Sequence, residues 1–157
     1  SPDRTDNGLL QISVTQDGNA RQVSSNERRP GRLVIKIKNI SPAQLFIEDT
    51  MPELDFPLNV IDEAGQPVSL TEEAKKYAFL RDPVGYIHVG RIRSVKLYPD
   101  EIYEKEIDVS RLYELKPGHT YTVRVKTALG PSRDHARHAV DRNLSKTVTL
   151  VMPSTQP

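Results

Sequence analysis

The chain has 157 residues, of which 36% are hydrophobic and 27% charged, and this is enough for one domain with its own core. Its 22 basic and 21 acidic residues nearly balance, so net charge gives no argument for a nucleic-acid partner. Cysteine is absent, which excludes disulfides, cysteine nucleophiles and thiolate metal sites, and no stretch reaches the roughly 18 apolar residues of a membrane helix, so we expect no membrane insertion.

Both ends of the chain are polar. Residues 1–8 predict a flexible leader, 9–152 a single domain and 153–157 a flexible tail. The start without methionine indicates either a removed signal peptide or a shortened sequence. We expect an extracytoplasmic domain, which means periplasmic, cell-surface or secreted.

Alternation of apolar and polar residues dominates the chain and predicts about eight short strands. In chain order the alternating or apolar segments are 10–14, 33–37, 44–48, 58–60, 67–70, 95–97, 102–109, 121–126 and 147–152. A turn over 62–65 predicts that 58–60 and 67–70 form a hairpin. The best helix signal is Thr71–Lys76, with Thr71 as its cap, and Ser110–Tyr113 predicts one helical turn capped by Ser110.

The segment Leu115–Tyr121 reads Leu-x-Pro-Gly-x-x-Tyr, which resembles the tyrosine corner of Greek-key sandwiches. Pro117 fixes its own φ near −65°, and Gly118 can adopt a positive φ. Leu115 is expected to close the bottom of the core, and Tyr121 to bury its ring while its hydroxyl bonds to upstream backbone. The predicted fold class is all-β: a single immunoglobulin-like Greek-key β-sandwich of about eight strands with one short helix.

A wider similarity involves two segments. Lys38-Asn39-x-Ser41 follows a strand, and residues 55–68 read Asp-Phe-Pro-Leu-Asn-Val-Ile-Asp-Glu-Ala-Gly-Gln-Pro-Val. Both segments resemble the bacterial intracellular proteinase inhibitor family and its immunoglobulin-like relatives. The resemblance implies an immunoglobulin-like fold and, more distantly, protease inhibition. Those relatives continue with Trp-rich sequence, and this chain has no Trp, so an aromatic inhibitory loop is not implied.

The connection 77–93 is the main candidate for binding. It is long and interrupted by Gly and Pro, and Tyr and Arg are over-represented at interface hot spots. Its candidate residues are Tyr77, Phe79, Arg81, Tyr86, His88, Arg91 and Arg93. The alternative is that Phe79 and Tyr86 fold back and cover the open end of the sandwich.

The segment 134–141 carries the weak candidates for a metal site. Asp134, His135, His138 and Asp141 would lie along one side of a helix at spacings that could bind a divalent cation. The alternative is a solvated loop of mixed charge, since several basic residues surround these side chains and oppose a bound cation. We therefore predict no metal and no cofactor.

The sequence lacks the common catalytic motifs. It has no Gly-x-Ser-x-Gly elbow, no Gly-x-Gly-x-x-Gly, no Walker motif and no His-Glu-x-x-His. Glu104 and Glu106 share one face of a strand, as solvated charges commonly do. Basic residues concentrate in 21–38 and acidic ones in 100–114. These segments could form complementary surfaces for protein partners or for head-to-tail assembly, but we expect the fold to place them side by side, where they neutralise each other.

These observations predict a protein that is not an enzyme. We expect a non-catalytic protein-binding or accessory domain of a bacterial exported or cell-envelope protein. The first alternative is a protease inhibitor that acts through 77–93. The second is a metal-dependent hydrolytic domain that uses the 134–141 loop.

Overall fold

The computed structural model describes residues 2–17, 30–77, 93–127 and 144–154. The strands in these ranges are β1 (Leu10–Gln16), β2 (Arg32–Asn39), β3 (Leu45–Asp49), β4 (Leu58–Ile61), β5 (Arg93–Leu97), β6 (Ile102–Asp108), β7 (Thr120–Lys126) and β8 (Ser145–Val151). The helical segments are α1 (Pro52–Asp55), a 3-10 turn at Ala74–Lys76, and α2 (Val109–Leu112). No helix within the described residues is long and apolar enough to cross a bilayer.

The strands form two antiparallel sheets of three strands and one ribbon of two. The sheets have the orders β1-β2-β6 and β4-β7-β8, and the ribbon pairs β3 with β5. The all-β sandwich predicted from the sequence is therefore confirmed.

The core lies between the two larger sheets. Every second residue of β2 is buried, including Leu33, Ile35 and Ile37, and Val123 and Val125 of β7 are fully buried as well. Residues of both sheets belong to one apolar cluster. The alternation read from the sequence therefore identifies the inward faces of these strands correctly, because successive side chains of a strand point to opposite faces.

The helical segments differ from the prediction. The Thr71 hydroxyl accepts the N–H of Ala74 at 3.1 Å, but only a 3-10 turn follows, and the residue at its N-cap is Glu73, which makes no side-chain cap bond. The Thr71 hydroxyl also donates to the carbonyl of Arg111 and so joins this turn to α2. The cap of α2 is Asp108, whose carboxylate accepts the N–H of Ser110 at 3.1 Å, and not Ser110. Helix α1 was not predicted, because four residues are too few to show a helical period.

The predicted hairpin is only half formed. Strand β4 is present, but its partner segment contributes an isolated bridge between Ile61 and Pro67 and a bond from the Val68 N–H to the Val60 carbonyl at 3.1 Å. Pro67 has no N–H to donate to a ladder, which explains why the second arm does not extend as a strand.

Basic β2 lies beside acidic β6, as expected from the charge pattern. The register places Lys36 opposite Glu104, and Arg32 forms an ion pair with Glu106 at 3.0 Å. For the described part of the two charged segments, the prediction that they neutralise each other within the fold is confirmed.

Asn39 belongs to one of the two segments that resemble the inhibitor family, and its contacts show what this segment does in the fold. Its fully buried amide donates to the carbonyls of Ala43 at 2.8 Å and Leu97 at 2.7 Å, and its oxygen accepts the N–H and hydroxyl of Ser41. The side chain thus joins the end of β2 to the end of β5. The role of this motif is structural.

Candidate functional site

A cluster of polar and charged side chains around two buried acids lies where β3, β5, β6 and α1 meet. Its two acids are Asp49, the last residue of β3, and Asp55, the last residue of α1, with exposed fractions of 4% and 5%. Arg93, Tyr103 and Lys105 surround Asp49. We call these five residues the Asp49 cluster.

Local strand geometry places the members of the Asp49 cluster. In β3, residues 45, 47 and 49 are all buried, so Asp49 continues the inward row begun by Leu45 and Ile47. Arg93 is the register partner of Asp49 across the β3–β5 ribbon. Tyr103 and Lys105 are two residues apart on β6 and therefore share a face, with the ammonium of Lys105 5.5 Å from the ring centroid of Tyr103.

Asp49 is held as a carboxylate by three donors. The Tyr103 hydroxyl and the Lys105 ammonium reach Oδ1, the latter at 3.1 Å, and the Arg93 guanidinium reaches Oδ2 at 2.9 Å. Burial alone would raise the pKa of Asp49, but the hydrogen bonds from Tyr103, Arg93 and Lys105 outweigh it and lower the pKa. Burial, and then the bond to Asp49, raise the pKa of the Tyr103 phenol.

Asp55 is shifted in the opposite direction. Its Oδ2 accepts the N–H of Thr50 at 3.0 Å, and its Oδ1 accepts the Thr50 hydroxyl. Burial raises the pKa of Asp55, the two bonds from Thr50 only partly oppose it, and the nearby charge of Asp49 adds to the rise. Among the described residues no cation is bonded to Asp55, whereas two are bonded to Asp49.

Two buried carboxylates with opposite pKa shifts also occur in acid–base active sites. Here, however, each carboxylate is engaged by neighbours within the chain. Two clefts of about 420 and 400 Å³ are lined by described residues, and neither is lined by Asp49 or Asp55. The contacts of the Asp49 cluster join β3, β5 and β6, and they fix Arg93, where the 77–93 connection ends.

The structure describes two of the seven predicted binding residues. Arg93 belongs to the Asp49 cluster, and Tyr77 is half-buried and packs against the core just after the 3-10 turn. The other five, Phe79, Arg81, Tyr86, His88 and Arg91, lie outside the described residues. The choice between a binding loop and a cover for the sandwich therefore stays open for them.

The Leu115–Tyr121 segment shows most of its predicted contacts. Tyr121 is 3% exposed, and its hydroxyl accepts the N–H of Lys116, five residues upstream, at 2.7 Å. Gly118, which follows Pro117, has a φ of +79° and donates its N–H to the carbonyl of Pro153 at 2.8 Å. Leu115 differs from the prediction, because it is only half-buried at the margin of the core and does not close it.

The weak metal candidates His135 and His138 lie outside the described residues. In the part of the chain that the structure describes, no group of three or more His, Asp or Glu side chains is arranged to hold a metal ion.

Sequence reasoning missed four members of the Asp49 cluster: Asp49, Asp55, Tyr103 and Lys105. A signal for Asp49 was present, since Leu45-x-Ile47-x-Asp49 continues an inward row with a charged residue. A charge in an inward position requires partners, because burying an unpaired carboxylate is costly. The identity of those partners depends on the pairing of β3 with β5 and on the position of β6, which no local pattern contains.

No family model matches the chain, and no curated protein matches it. Among solved structures, the crystal structure of Bacteroides uniformis beta-glucuronidase is similar at 12% sequence identity and a TM-score of 0.38. The similarity covers 96% of this chain and 14% of that chain. It is too weak to support an inference about function, so the resemblance to the inhibitor family rests on the two segments named above.

Proposed function

We propose that this chain is a non-catalytic protein-binding domain of a bacterial exported or cell-envelope protein, and that it binds its partner through the 77–93 connection. The observation that carries the proposal is the anchoring of Arg93. Its guanidinium is bonded to buried Asp49 at 2.9 Å, yet 67% of its side chain is exposed.

The anchoring of Arg93 suits a binding residue. Arg is enriched at interface hot spots, and a side chain already held in position loses less conformational freedom when it binds. The backbone of Arg93 is also fixed, because β5 is paired with β3. Loops that carry function are typically positioned by a rigid scaffold in this way.

The other end of the connection, Tyr77, is also attached to the sandwich. Tyr77 donates its N–H to the carbonyl of Ala74 at 3.0 Å and so ends the 3-10 turn. Its side chain is half-buried and packs against the core, so both ends of the connection are fixed to the folded domain.

We also infer that the domain is immunoglobulin-like and that Leu115–Tyr121 is a tyrosine corner. The strand orders β1-β2-β6 and β4-β7-β8 and the bond between the Tyr121 hydroxyl and the Lys116 N–H support this inference. In such domains one end of the sandwich presents the binding loops. The extracytoplasmic location is part of the proposal and rests on the sequence alone.

The proposal is tested by site-specific photocross-linking in the native host. A photoreactive residue is placed at Arg91, in the connection, or at Lys116, in the Leu115–Tyr121 segment. We expect a discrete cross-linked protein from position 91 and not from position 116. We also expect it to disappear when Phe79, Tyr86 and His88 are changed to Ala.

A discrete product from position 116 only, or one from position 91 that survives the triple change, would contradict the proposed surface. Circular dichroism of the triple variant is compared with that of the parent, so that a cross-link lost through unfolding is told apart from one lost with the binding surface. Fractionation of the same cells should place the cross-linked complex outside the cytoplasm.

A further inference from the structure

A basic cleft opens on the outer face of the β4-β7-β8 sheet, at the end where β7 finishes and β8 begins. It has a volume of about 420 Å³. Its lining includes three cationic side chains and two hydroxyl groups: Arg4, Arg124, Lys126, Thr127 and Ser145. Among the described residues that line it, none is acidic.

The strand register brings these side chains together. Arg124 and Lys126 alternate with buried Val123 and Val125, so they project from the outer face of β7. Ser145 is the register partner of Lys126. Arg4 is joined to β8 by two bonds: its N–H donates to Ser145 Oγ at 3.1 Å, and its carbonyl accepts the Ser145 N–H at 2.8 Å.

The guanidinium of Arg124 is held in place within the basic cleft. Its Nη2 donates to the carbonyl of Pro2 and to Ser145 Oγ, both at 3.2 Å. Its buried Nε has no hydrogen-bond partner among the described residues and lies 3.4 Å from Asp3 Oδ1. A planar guanidinium fixed by neighbours is pre-organised to receive an oxyanion.

Asp3 beside the basic cleft only partly neutralises it. The Asp3 carboxylate also accepts the N–H of Thr147 at 2.7 Å, the Thr147 hydroxyl at 3.0 Å and the Ser145 hydroxyl at 3.2 Å. These bonds, together with the charge of Arg124, lower the pKa of Asp3 against the effect of burial, so the carboxylate is ionised at neutral pH. Asp3 lies beside Arg124, and the ammonium of Lys126, on the same face of β7, adds a further positive charge to the cleft.

The opposite end of the same sheet provides an internal contrast. A second cleft, of about 400 Å³, is lined by Asp62, Glu63 and Glu114 together with Lys116 and His119. There the charges favour cations or neutral groups, since carboxylates outnumber the ammonium group. The two ends of one sheet therefore differ in the sign of the charge they present.

We propose that the basic cleft is a binding site for a small oxyanion, a phosphate or a carboxylate group, with Arg124 and Lys126 as its main charged contacts. Both ligand types present oxygen atoms that an arginine fork and an ammonium can bind. Neither Tyr77 nor Arg93 lines this cleft, and the proposal does not depend on the proposed partner.

The test is a titration of the full chain followed by amide chemical shifts. Inorganic phosphate and acetate are added separately at constant ionic strength, with chloride as the control anion. We expect saturable shifts at the amides of 124–127 and 145–147 with one of the two oxyanions. Saturation by phosphate and not acetate would identify a phosphate ligand, and the reverse a carboxylate.

Lys126→Gln should weaken this binding at least about threefold, as expected for the loss of one partly exposed charged contact. Lys116→Gln is the matched control, because it removes the same charge at the other end of the sheet, and it should leave the dissociation constant unchanged. Arg124→Lys keeps the charge but loses the fork and should also weaken binding.

Shifts that do not saturate, or that chloride reproduces at equal ionic strength, would overturn the proposal. So would an equal loss of affinity in Lys126→Gln and Lys116→Gln. The folded state of each variant is read from the same spectra, through the dispersion of the amides of β2, which lies in the other sheet.

Discussion

Two buried tyrosines anchor different parts of this sandwich, and they do so in different ways. The Tyr121 hydroxyl accepts a backbone N–H only five residues upstream. The Tyr103 hydroxyl donates to the carboxylate of Asp49, which is 54 residues away in the sequence. The first bond is neutral and local, whereas the second is charged and joins β6 to β3.

This difference determines which of the two hydrogen bonds leaves a motif in the sequence and which one contributes more to stability. A local bond needs a fixed spacing, so it leaves a motif that can be read. A long-range bond to a charged group has no fixed spacing in the sequence, so it leaves no motif. Its loss lowers the free energy of unfolding more, because hydrogen bonds to charged groups contribute about 1.5–3 kcal/mol and neutral ones about 1 kcal/mol. The predictions that follow test this ranking.

Asp49→Asn should have the largest effect. It removes the charge that holds Arg93 and Lys105, and breaking a buried ion pair by removing one partner typically costs 3–5 kcal/mol. Both cations keep some contact with solvent, with side-chain exposures of 67% and 26%, so we expect the lower end of that range. Urea denaturation at pH 7 should show a free energy of unfolding lower by about 3 kcal/mol.

Asp100→Asn is the matched control for Asp49→Asn. Its carboxylate is 87% exposed and lies 4.0 Å from Lys38, and Asn tolerates its φ of 70°. The free energy of unfolding of this control variant should lie within about 0.5 kcal/mol of that of the parent. An equal loss in both variants would show that the Asp49 cluster is not a special source of stability.

Tyr103→Phe should have the next largest effect. The ring remains buried, and only the bond from the hydroxyl to Asp49 is lost. We expect a loss of about 2 kcal/mol, because the acceptor is charged. Combining this change with Asp49→Asn in a double-mutant cycle should give a coupling energy of the same order, and additive losses would contradict a direct contact.

The fold could be predicted from particular residues because its information is local. Leu33, Ile35 and Ile37 reveal the inward face of β2 through period-2 alternation, and Pro117-Gly118 reveals the turn before β7. The failures have local causes too. Pro67 prevents the second arm of the hairpin, and the short segment after Thr71 forms only a 3-10 turn.

The Asp49 cluster could not be predicted because its partners are brought together only by sheet pairing. Asp49 meets Arg93 through the register of the β3–β5 ribbon, and it meets Tyr103 and Lys105 through the position of β6. Only Arg93 was a predicted binding residue, and it was chosen for its residue type in a long connection. Its bond to a buried carboxylate had no signature in the sequence.

Tyr121→Phe should cost less than Tyr103→Phe. The bond that it removes is to the neutral N–H of Lys116, and that N–H is near the surface, where water can replace the hydroxyl. We expect a loss of about 1 kcal/mol in the free energy of unfolding, measured by the same urea denaturation. If Tyr121→Phe destabilised the protein more than Tyr103→Phe, the ranking of charged over neutral anchors would be wrong.

Asp55→Asn should have the smallest effect at pH 7, although Asp55 is as buried as Asp49. An Asn side chain can keep both contacts with Thr50, since its oxygen can accept the N–H and its amide can donate to the hydroxyl oxygen. It also removes a buried charge to which no cation in the described part of the chain is bonded. We therefore expect the free energy of unfolding at pH 7 to rise by no more than about 1 kcal/mol.

The pH dependence should separate the two acids by sign. The folded-state pKa of Asp55 lies above its ordinary value of 3.8, so its contribution to stability is fully present below pH 3.8 and is lost as the pH rises through the folded-state pKa. The pKa of Asp49 lies below 3.8, so its contribution is present above that pH and is lost as the pH falls through the folded-state pKa. The advantage of Asp55→Asn over the parent should therefore shrink on acidification, and the deficit of Asp49→Asn should shrink as well. Urea denaturation between pH 3 and pH 7 measures both differences, and a stabilising effect of Asp55→Asn that grew toward low pH would contradict a raised pKa in the folded protein.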